Sequence, residues 1–163
     1  PSKTIKWVDT DHLHLTIKFL GDLPEEKLSK AEVLIRETLE AYSPFVVTVG
    51  GLGVFPSPKR PRVIWLGVQG PPQLNNLHHS LNQTFVELGV KPEKRDFHPH
   101  LTLGRVRRHV NRDLIHEIGE TFSQFKVDTL GSAPIEEIIL YKSKLTPQGP
   151  IYTPLFVVPL HQV

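Results

Sequence analysis

The four-residue pattern His-apolar-Thr-apolar occurs twice in this chain of 163 residues, as His14–Ile17 and as His100–Leu103. With nine His, eleven Thr and 39% hydrophobic residues, composition alone gives roughly 0.1 expected occurrences of this pattern. The two copies begin 86 positions apart, close to half the chain length, and both lie in segments with the alternating hydrophobicity of β-strands. The repeat therefore predicts two related strands, one in each half of the chain.

Alternate residues of a strand share a face, so each copy places its His and Thr together and turns both apolar residues to the core. A pseudo-twofold relation between the halves would bring both pairs to one cleft. One imidazole can then take a proton from water while the other protonates a leaving alkoxide, because the ordinary pKa of His is about 6.5. Threonine hydroxyls can donate hydrogen bonds to phosphate oxygens. We therefore expect phosphodiester chemistry without a metal, with His14 and His100 as acid and base, Thr16 and Thr102 as phosphate ligands, and Lys18 adding charge.

Strand-like and helical segments are mixed along the chain, which predicts an α+β fold. Three amphipathic helices are expected, one over Leu28–Tyr42, one over Leu74–Leu88 that ends at Gly89, and one that Asn111 caps. Gly50 and Gly51 are expected to form a flexible break. The predicted strands are Ile5–Val8, His12–Leu20, Phe45–Val49, Arg62–Val68, His98–Val106, Phe125–Leu130, Ile135–Ser143 and Ile151–Leu160.

Composition limits the classes of site and setting. There is no Cys, which excludes disulfides, thiolate catalysis and Cys-ligated metal centres and favours a reducing, cytoplasmic setting. No apolar run approaches the roughly 18 residues of a membrane span, so no membrane partner is expected. The net charge is only +2, but the window Lys94–Arg112 holds six basic residues against Asp96 alone. This basic window favours an anionic partner such as RNA.

The stretches around both tetrads resemble a known family. His14–Gly21 and Phe97–Arg105 resemble the paired motifs of the 2H phosphoesterase superfamily. Within it they are similar to the bacterial and archaeal RNA 2',3'-cyclic phosphodiesterases, historically called 2'-5' RNA ligases. Gly53–Pro56, Pro61–Gly67 and Leu140–Tyr152 support the match, which runs from about Trp7 to Tyr152.

The resemblance implies a single bilobed α+β domain over residues 1–163. Two antiparallel sheets in pseudo-twofold related halves would face a central cleft, with helices on the outer faces, and the strand and helix that usually begin the family's fold are expected to be absent. It also implies that His14 and His100 are catalytic, that Thr16 and Thr102 bind phosphate, and that no cofactor is needed. The implied substrate is RNA with a 2',3'-cyclic phosphate end, or a cyclic nucleotide. Hydrolysis would give a 2'-phosphate, reversal would join RNA ends through a 2'-5' bond, and the chain would act as a monomer.

Two features depart from the family pattern. His12 and His98, each two residues before a tetrad histidine, are not part of the family signature. Strict alternation puts Arg105 on the strand face opposite His100. The phosphate contact expected of Arg105 therefore requires a bulge or a strand end at Gly104.

Two other functions remain open at this point. His12-x-His14 and His98-x-His100 could supply four imidazoles to a metal ion that activates water, although Thr would then have no role. Alternatively, the chain could be a non-catalytic module that binds RNA ends, with the basic window holding phosphates. In that case Phe55 and Tyr152, which lie beside Gly/Pro loops, are candidates for stacking on bases at the rim of the cleft, whereas Trp65 is expected to pack in the core.

Overall fold

The computed structural model describes residues 3–146 and 149–161 of the chain. Within these ranges it has seven β-strands and three α-helices, which confirms the α+β class. The elements in chain order are β1 (Ile5–Trp7), α1 (Leu28–Leu39), β2 (Phe45–Phe55), β3 (Val63–Gln69), α2 (Pro72–Thr84), β4 (His100–Val106), α3 (Arg112–Gln124), β5 (Thr129–Ile135), β6 (Glu137–Thr146) and β7 (Gly149–Pro159). None of these described helices is long and apolar enough to cross a membrane.

The chain divides into two compact units, each assembled from three separate stretches of sequence. The first unit takes Pro1–Ile17, Val47–Gly70 and Asp96–Ala133, and the second takes Lys18–Val46, Pro71–Arg95 and Pro134–Val163. Both tetrads therefore belong to the first unit, although they lie in different halves of the sequence.

The first unit is built on a five-stranded sheet with the order β1-β4-β3-β2-β5. The pairs β1/β4, β4/β3 and β3/β2 are antiparallel. Apolar side chains from one face of this sheet form a buried cluster with Ile118 of α3. The strand members of that cluster are Ile5, Val54, Ile64 and Val106. Helix α3 begins where expected, because the Asn111 side chain accepts a hydrogen bond from the Leu114 backbone N–H at 2.9 Å.

The second unit contains α1, α2 and the two-stranded antiparallel sheet β6–β7. Each helix buries one apolar stripe, which is Ala31, Leu34, Ile35 and Leu39 in α1 and Leu74, Leu77 and Leu81 in α2. Polar contacts also connect the elements of this unit to one another. For example, Tyr42 Oη lies 2.8 Å from Ser80 Oγ of α2. As predicted, the second helical segment ends at Gly89, whose φ of +80° suits glycine.

Three predictions about strands are wrong. The strand expected over Phe125–Leu130 begins only at Thr129 and runs on to Ile135. His12–Leu20 is not a strand, since Thr10–His12 forms a 3-10 turn and only Leu15 makes an isolated antiparallel bridge, to Leu101. From Thr16 to Leu20 the backbone forms no further bridge, so no strand develops there. The expected break at Gly50 and Gly51 is instead a bulge inside one long strand, because Gly50 pairs with Gly67 and Leu52 with Leu66.

Candidate active site

The two tetrads meet on neighbouring chain segments. Leu15 lies opposite Leu101 in an antiparallel bridge. Continuing this register places His14 opposite Thr102 and Thr16 opposite His100. Directly opposed residues share a face, and the residues on either side of Leu15 and Leu101 point away from those leucines. Both His and both Thr therefore lie on one face of the first unit.

The two histidines are held in the same way. His14 Nδ1 is 2.8 Å from the backbone oxygen of His12, and His100 Nδ1 is 2.7 Å from the backbone oxygen of His98. A carbonyl oxygen only accepts hydrogen bonds, so Nδ1 is the donor in each case and the neutral imidazole carries its lone pair on Nε2. The two rings therefore present the same ring nitrogen for proton transfer.

This geometry explains why His12 and His98 stand outside the family signature. The residue two positions before each tetrad contributes its main-chain carbonyl, which any residue possesses. The His12 side chain lies elsewhere, exposed and 3.9 Å from Asp9 Oδ2. Among the residues that the structure describes, no three His, Cys, Asp or Glu side chains converge as metal ligands would. The four-imidazole arrangement therefore has no geometric support.

The bulge that Arg105 requires is present in β4, one residue earlier than expected. Trp65 pairs with Thr102, whereas the next pair is Ile64 with Gly104, so Leu103 is an extra residue in β4. Arg105 then pairs with Val63, which lies on the same face of β3 as Trp65. The bulge thus returns Arg105 to the face that carries His100 and Thr102.

Lys6 is a residue that the sequence analysis missed. It pairs directly with Arg105 across β1 and β4, and opposed residues share a face. Two cations in one cross-strand pair repel each other, so this position favours a bound anion. In the sequence Lys6 stands out as a charged residue within an apolar strand. The sequence does not show, however, that Lys6 pairs with Arg105.

Aromatic rings surround His100. The Phe55 ring packs edge to face with the imidazole at a centroid distance of 5.1 Å, and the Trp65 ring lies 6.3 Å away. The prediction that Trp65 packs in the core is wrong, because the cluster around Ile64 occupies the opposite face of β3. Phe55, by contrast, lies beside a tetrad histidine.

Lys18 and Tyr152 lie in the second unit. The Lys18 ammonium is almost fully buried and contacts three acceptors, namely Asn82 Oδ1 at 2.7 Å, the Lys91 carbonyl at 3.3 Å and Glu93 Oε1 at 3.4 Å. An ammonium has three hydrogens, so these contacts favour a structural role over the expected contribution to phosphate binding. The Tyr152 ring packs edge to face against Tyr141 of β6 at 6.0 Å.

One pKa near Lys18 is shifted. Burial lowers the pKa of His78 below its ordinary value, because desolvation disfavours the charged imidazole. Glu93 raises this pKa and Lys18 lowers it, and burial is the largest cause. The basic window is divided between the units, since Lys94 and Arg95 belong to the second unit and the residues from Asp96 onward to the first.

Comparisons with known proteins agree with these features. The family model of the 2'-5' RNA ligase superfamily matches residues 2–142. The RNA 2',3'-cyclic phosphodiesterase of Methanothermobacter thermautotrophicus is 44% identical over 153 residues, covering 94% of this chain and 81% of that protein. The protein of the same name from Archaeoglobus fulgidus is 36% identical, with 94% and 82% covered.

Solved structures give the same result. A crystal structure of a Thermus thermophilus protein superposes with a TM-score of 0.80 at 28% identity, covering 97% of this chain and 83% of that one. The crystal structure of E. coli LigT complexed with 3'-AMP gives a TM-score of 0.77 at 29% identity, with 99% and 84% covered. The match over residues 2–142 and the 44% identity place this chain in the 2'-5' RNA ligase superfamily.

Proposed function

We propose that this protein hydrolyses RNA 2',3'-cyclic phosphate ends to 2'-phosphates, with His14 and His100 as the general acid–base pair. The observation that carries the proposal is the matched pair of histidines, each with Nδ1 on a main-chain carbonyl and both on the face that the Leu15–Leu101 bridge defines. The relatives named RNA 2',3'-cyclic phosphodiesterase support the substrate.

The reaction needs two proton transfers at one phosphorus atom. One histidine, neutral at the start, takes a proton from water through Nε2 as the water oxygen bonds to phosphorus. The other, protonated at the start, gives its Nε2 proton to the 3' oxygen as the bond between phosphorus and that oxygen breaks. The phosphate stays on the 2' oxygen, and Thr16 and Thr102 donate hydrogen bonds to the non-bridging oxygens.

We propose a local twofold axis between Leu15 and Leu101 as the origin of this arrangement. Such an axis carries His14 onto His100 and Thr16 onto Thr102, which are the equivalent positions of the two tetrads. Joining uses the same geometry when an RNA 5'-hydroxyl replaces water as the attacking group, because one imidazole takes the proton of that hydroxyl and the other protonates the departing 3' oxygen. The two imidazoles exchange roles only when the 2'-5' bond is cleaved again by attack of the 3'-hydroxyl. A slow 2'-5' joining activity is therefore part of the proposal. One copy of the chain suffices, since both tetrads lie in its first unit.

The test is a product assay on an oligonucleotide with a defined 2',3'-cyclic end. The expected product is the 2'-phosphate, and activity should persist in excess chelator. His14→Ala and His100→Ala should each lower kcat by about 10²- to 10⁴-fold, the usual contribution of a general acid or base. His116→Ala is the matched control, because His116 is an exposed residue of α3 in the same unit. Near wild-type turnover in either tetrad variant would exclude the two-histidine mechanism.

A further inference from the structure

Strands β1 and β4 of the first unit carry a row of cationic side chains. Lys6 lies opposite Arg105 in this antiparallel pair. The Arg107 backbone N–H donates to the Thr4 carbonyl at 2.8 Å, which continues the ladder in the same register one residue past β4. Alternate residues of a strand share a face, so Arg107 lies on the same face as Arg105 and Lys6. We call Lys6, Arg105 and Arg107 the cation row.

The core shows which face of the sheet carries the cation row. Ile5 and Val106, which alternate with the cations, belong to the buried cluster that includes Ile118 of α3. The cation row therefore lies on the opposite face, which is the face of His100 and Thr102. Successive residues on one face of a strand are about 6.8 Å apart, because the chain rises about 3.4 Å per residue. The bulge keeps the row in step, so it begins one such interval from Thr102 and leads away from the tetrads.

No carboxylate neutralises the cation row within the described part of the chain. None of the ion pairs there involves one of its three members. Like charges placed directly opposite each other in a sheet repel and so destabilise it. An anion bound along the row would relieve this repulsion. Uncompensated cations on the face that carries the tetrads therefore indicate a surface that binds the charged backbone of the substrate.

We propose that Lys6 and Arg107 bind the internucleotide phosphodiester that precedes the nucleotide with the cyclic phosphate. The inference rests on the proposed function and deepens it, because it names a part of the RNA, outside the reacting phosphate, that the protein recognises. An RNA that ends in a 2',3'-cyclic phosphate has its internucleotide phosphates on the 5' side of that end. Arg105 follows Thr102 on the same strand and is the expected contact of the reacting phosphate, which leaves Lys6 and Arg107 for the next phosphate.

The experiment changes the charge of that phosphodiester alone. One substrate is an adenosine dinucleotide with a 2',3'-cyclic end and an ordinary phosphodiester linkage, and the other has an uncharged methylphosphonate linkage in its place. Both carry a 2'-O-methyl group on the first nucleotide, which keeps the linkage intact. At low ionic strength the wild type should have a kcat/KM roughly 2- to 30-fold higher for the charged substrate, the range expected for two exposed ion pairs.

Variants of the two cations test whether they are the source of this ratio. Lys6→Gln and Arg107→Gln should each lower the ratio, and the double variant should bring it close to 1. Lys6→Arg keeps the charge and should retain most of the wild-type ratio. The matched control is Lys126→Gln, because Lys126 is an exposed cation of the same unit outside β1 and β4, and its ratio should equal that of the wild type.

A wild-type ratio of 1 would overturn the inference and leave the proposed function standing, whereas hydrolysis of neither substrate would overturn both. Variants that slow both substrates equally keep the wild-type ratio. That result would also overturn the inference, because it assigns Lys6 and Arg107 to the reacting phosphate or to the stability of the fold. Each cation is replaced in a separate variant, so the ratio is measurable even where one variant does not fold.

Discussion

Substituting Gly53 by Ala tests the packing of the aromatic rings around His100. A Cβ on Gly53 would lie 2.7 Å from Trp65 Cε2 and still closer to two other atoms of the six-membered ring. Carbon atoms pack at about 3.5–4.0 Å, so Gly53→Ala requires the indole to move by roughly 1 Å. That ring cannot swing away freely, because Phe55 packs on it. We expect a loss of about 1–3 kcal/mol in the free energy of unfolding, as for other overpacked sites.

The assays are thermal unfolding and turnover of a cyclic mononucleotide. The stability loss corresponds to a fall in Tm of about 2–12 °C for a chain of this size. Since Trp65 and Phe55 both pack near His100, kcat/KM should fall as well, up to about 100-fold for a 1 Å displacement.

Gly131→Ala is the matched control for this substitution. Gly131 lies in β5 of the same unit, and no atom of the described residues stands within 4 Å of an added Cβ there. Its unfolding free energy should stay within about 0.5 kcal/mol of the wild type. A Gly53→Ala protein with wild-type Tm and kcat/KM would show that the indole does not lie on Gly53 and would refute the packing described for His100.

Three further predictions concern charge. Replacing Arg107 and Arg108 together by Gln should lower the log–log salt slope of oligonucleotide binding by about 1.4, which is 0.7 for each lost phosphate contact on a single strand. The free energy of unfolding should decrease as the pH falls through about 6.5, since His78 takes up its proton in the unfolded state before it can do so in the folded state. Urea titrations should show a weaker pH dependence for His78→Gln, whereas His79→Gln, an exposed neighbour, should follow the wild type. Lys18→Met should cost about 1.5–3 kcal/mol in urea unfolding, because it removes a charged donor from Asn82 Oδ1 and Glu93 Oε1.

Each of these predictions has a result that contradicts it. Equal salt slopes for wild type and the double arginine variant would mean that these arginines do not contact RNA. A pH dependence that is unchanged in His78→Gln would assign it to other groups. For Lys18 the control is Lys27→Met, which removes a single hydrogen bond to the Leu88 carbonyl. Equal costs for the two lysine variants would show that burial of Lys18 adds nothing.

The helices and their ends could be predicted because their signals are local. The apolar stripe of α1, the Asn111 side chain at the start of α3 and Gly89 after α2 each act within a few residues. The strand predicted over His12–Leu20 failed for a non-local reason. Alternation shows which face a residue would occupy, but whether a strand forms depends on a partner, and only Leu15 finds one.

The residues of the candidate site could be found by their repeat, but their geometry could not. Strict alternation gives the wrong face for Arg105, because of the bulge at Leu103. Gly104 indicates a bulge in this part of β4, but its position and its presence depend on the pairing of β4 with β3. The same limit applies to Trp65, since an apolar strand does not show which of its faces a helix covers. The division into two units could not be predicted from the sequence either, because each unit is assembled from three stretches that are far apart along the chain.

The hydrogen bonds from the tetrad histidines to main-chain carbonyls have a consequence for how the site tolerates mutation. In a Ser-His-Asp triad a separate carboxylate orients the imidazole, and one substitution can remove it. Here the orienting acceptor is the backbone oxygen two residues upstream of the ring, which no side-chain substitution deletes. Genetic drift at positions 12 and 98 therefore leaves the tautomer of each histidine intact. A five-residue stretch carries a histidine, its orienting group and a hydroxyl donor together, so duplicating one such stretch is enough to create both halves of an acid–base pair.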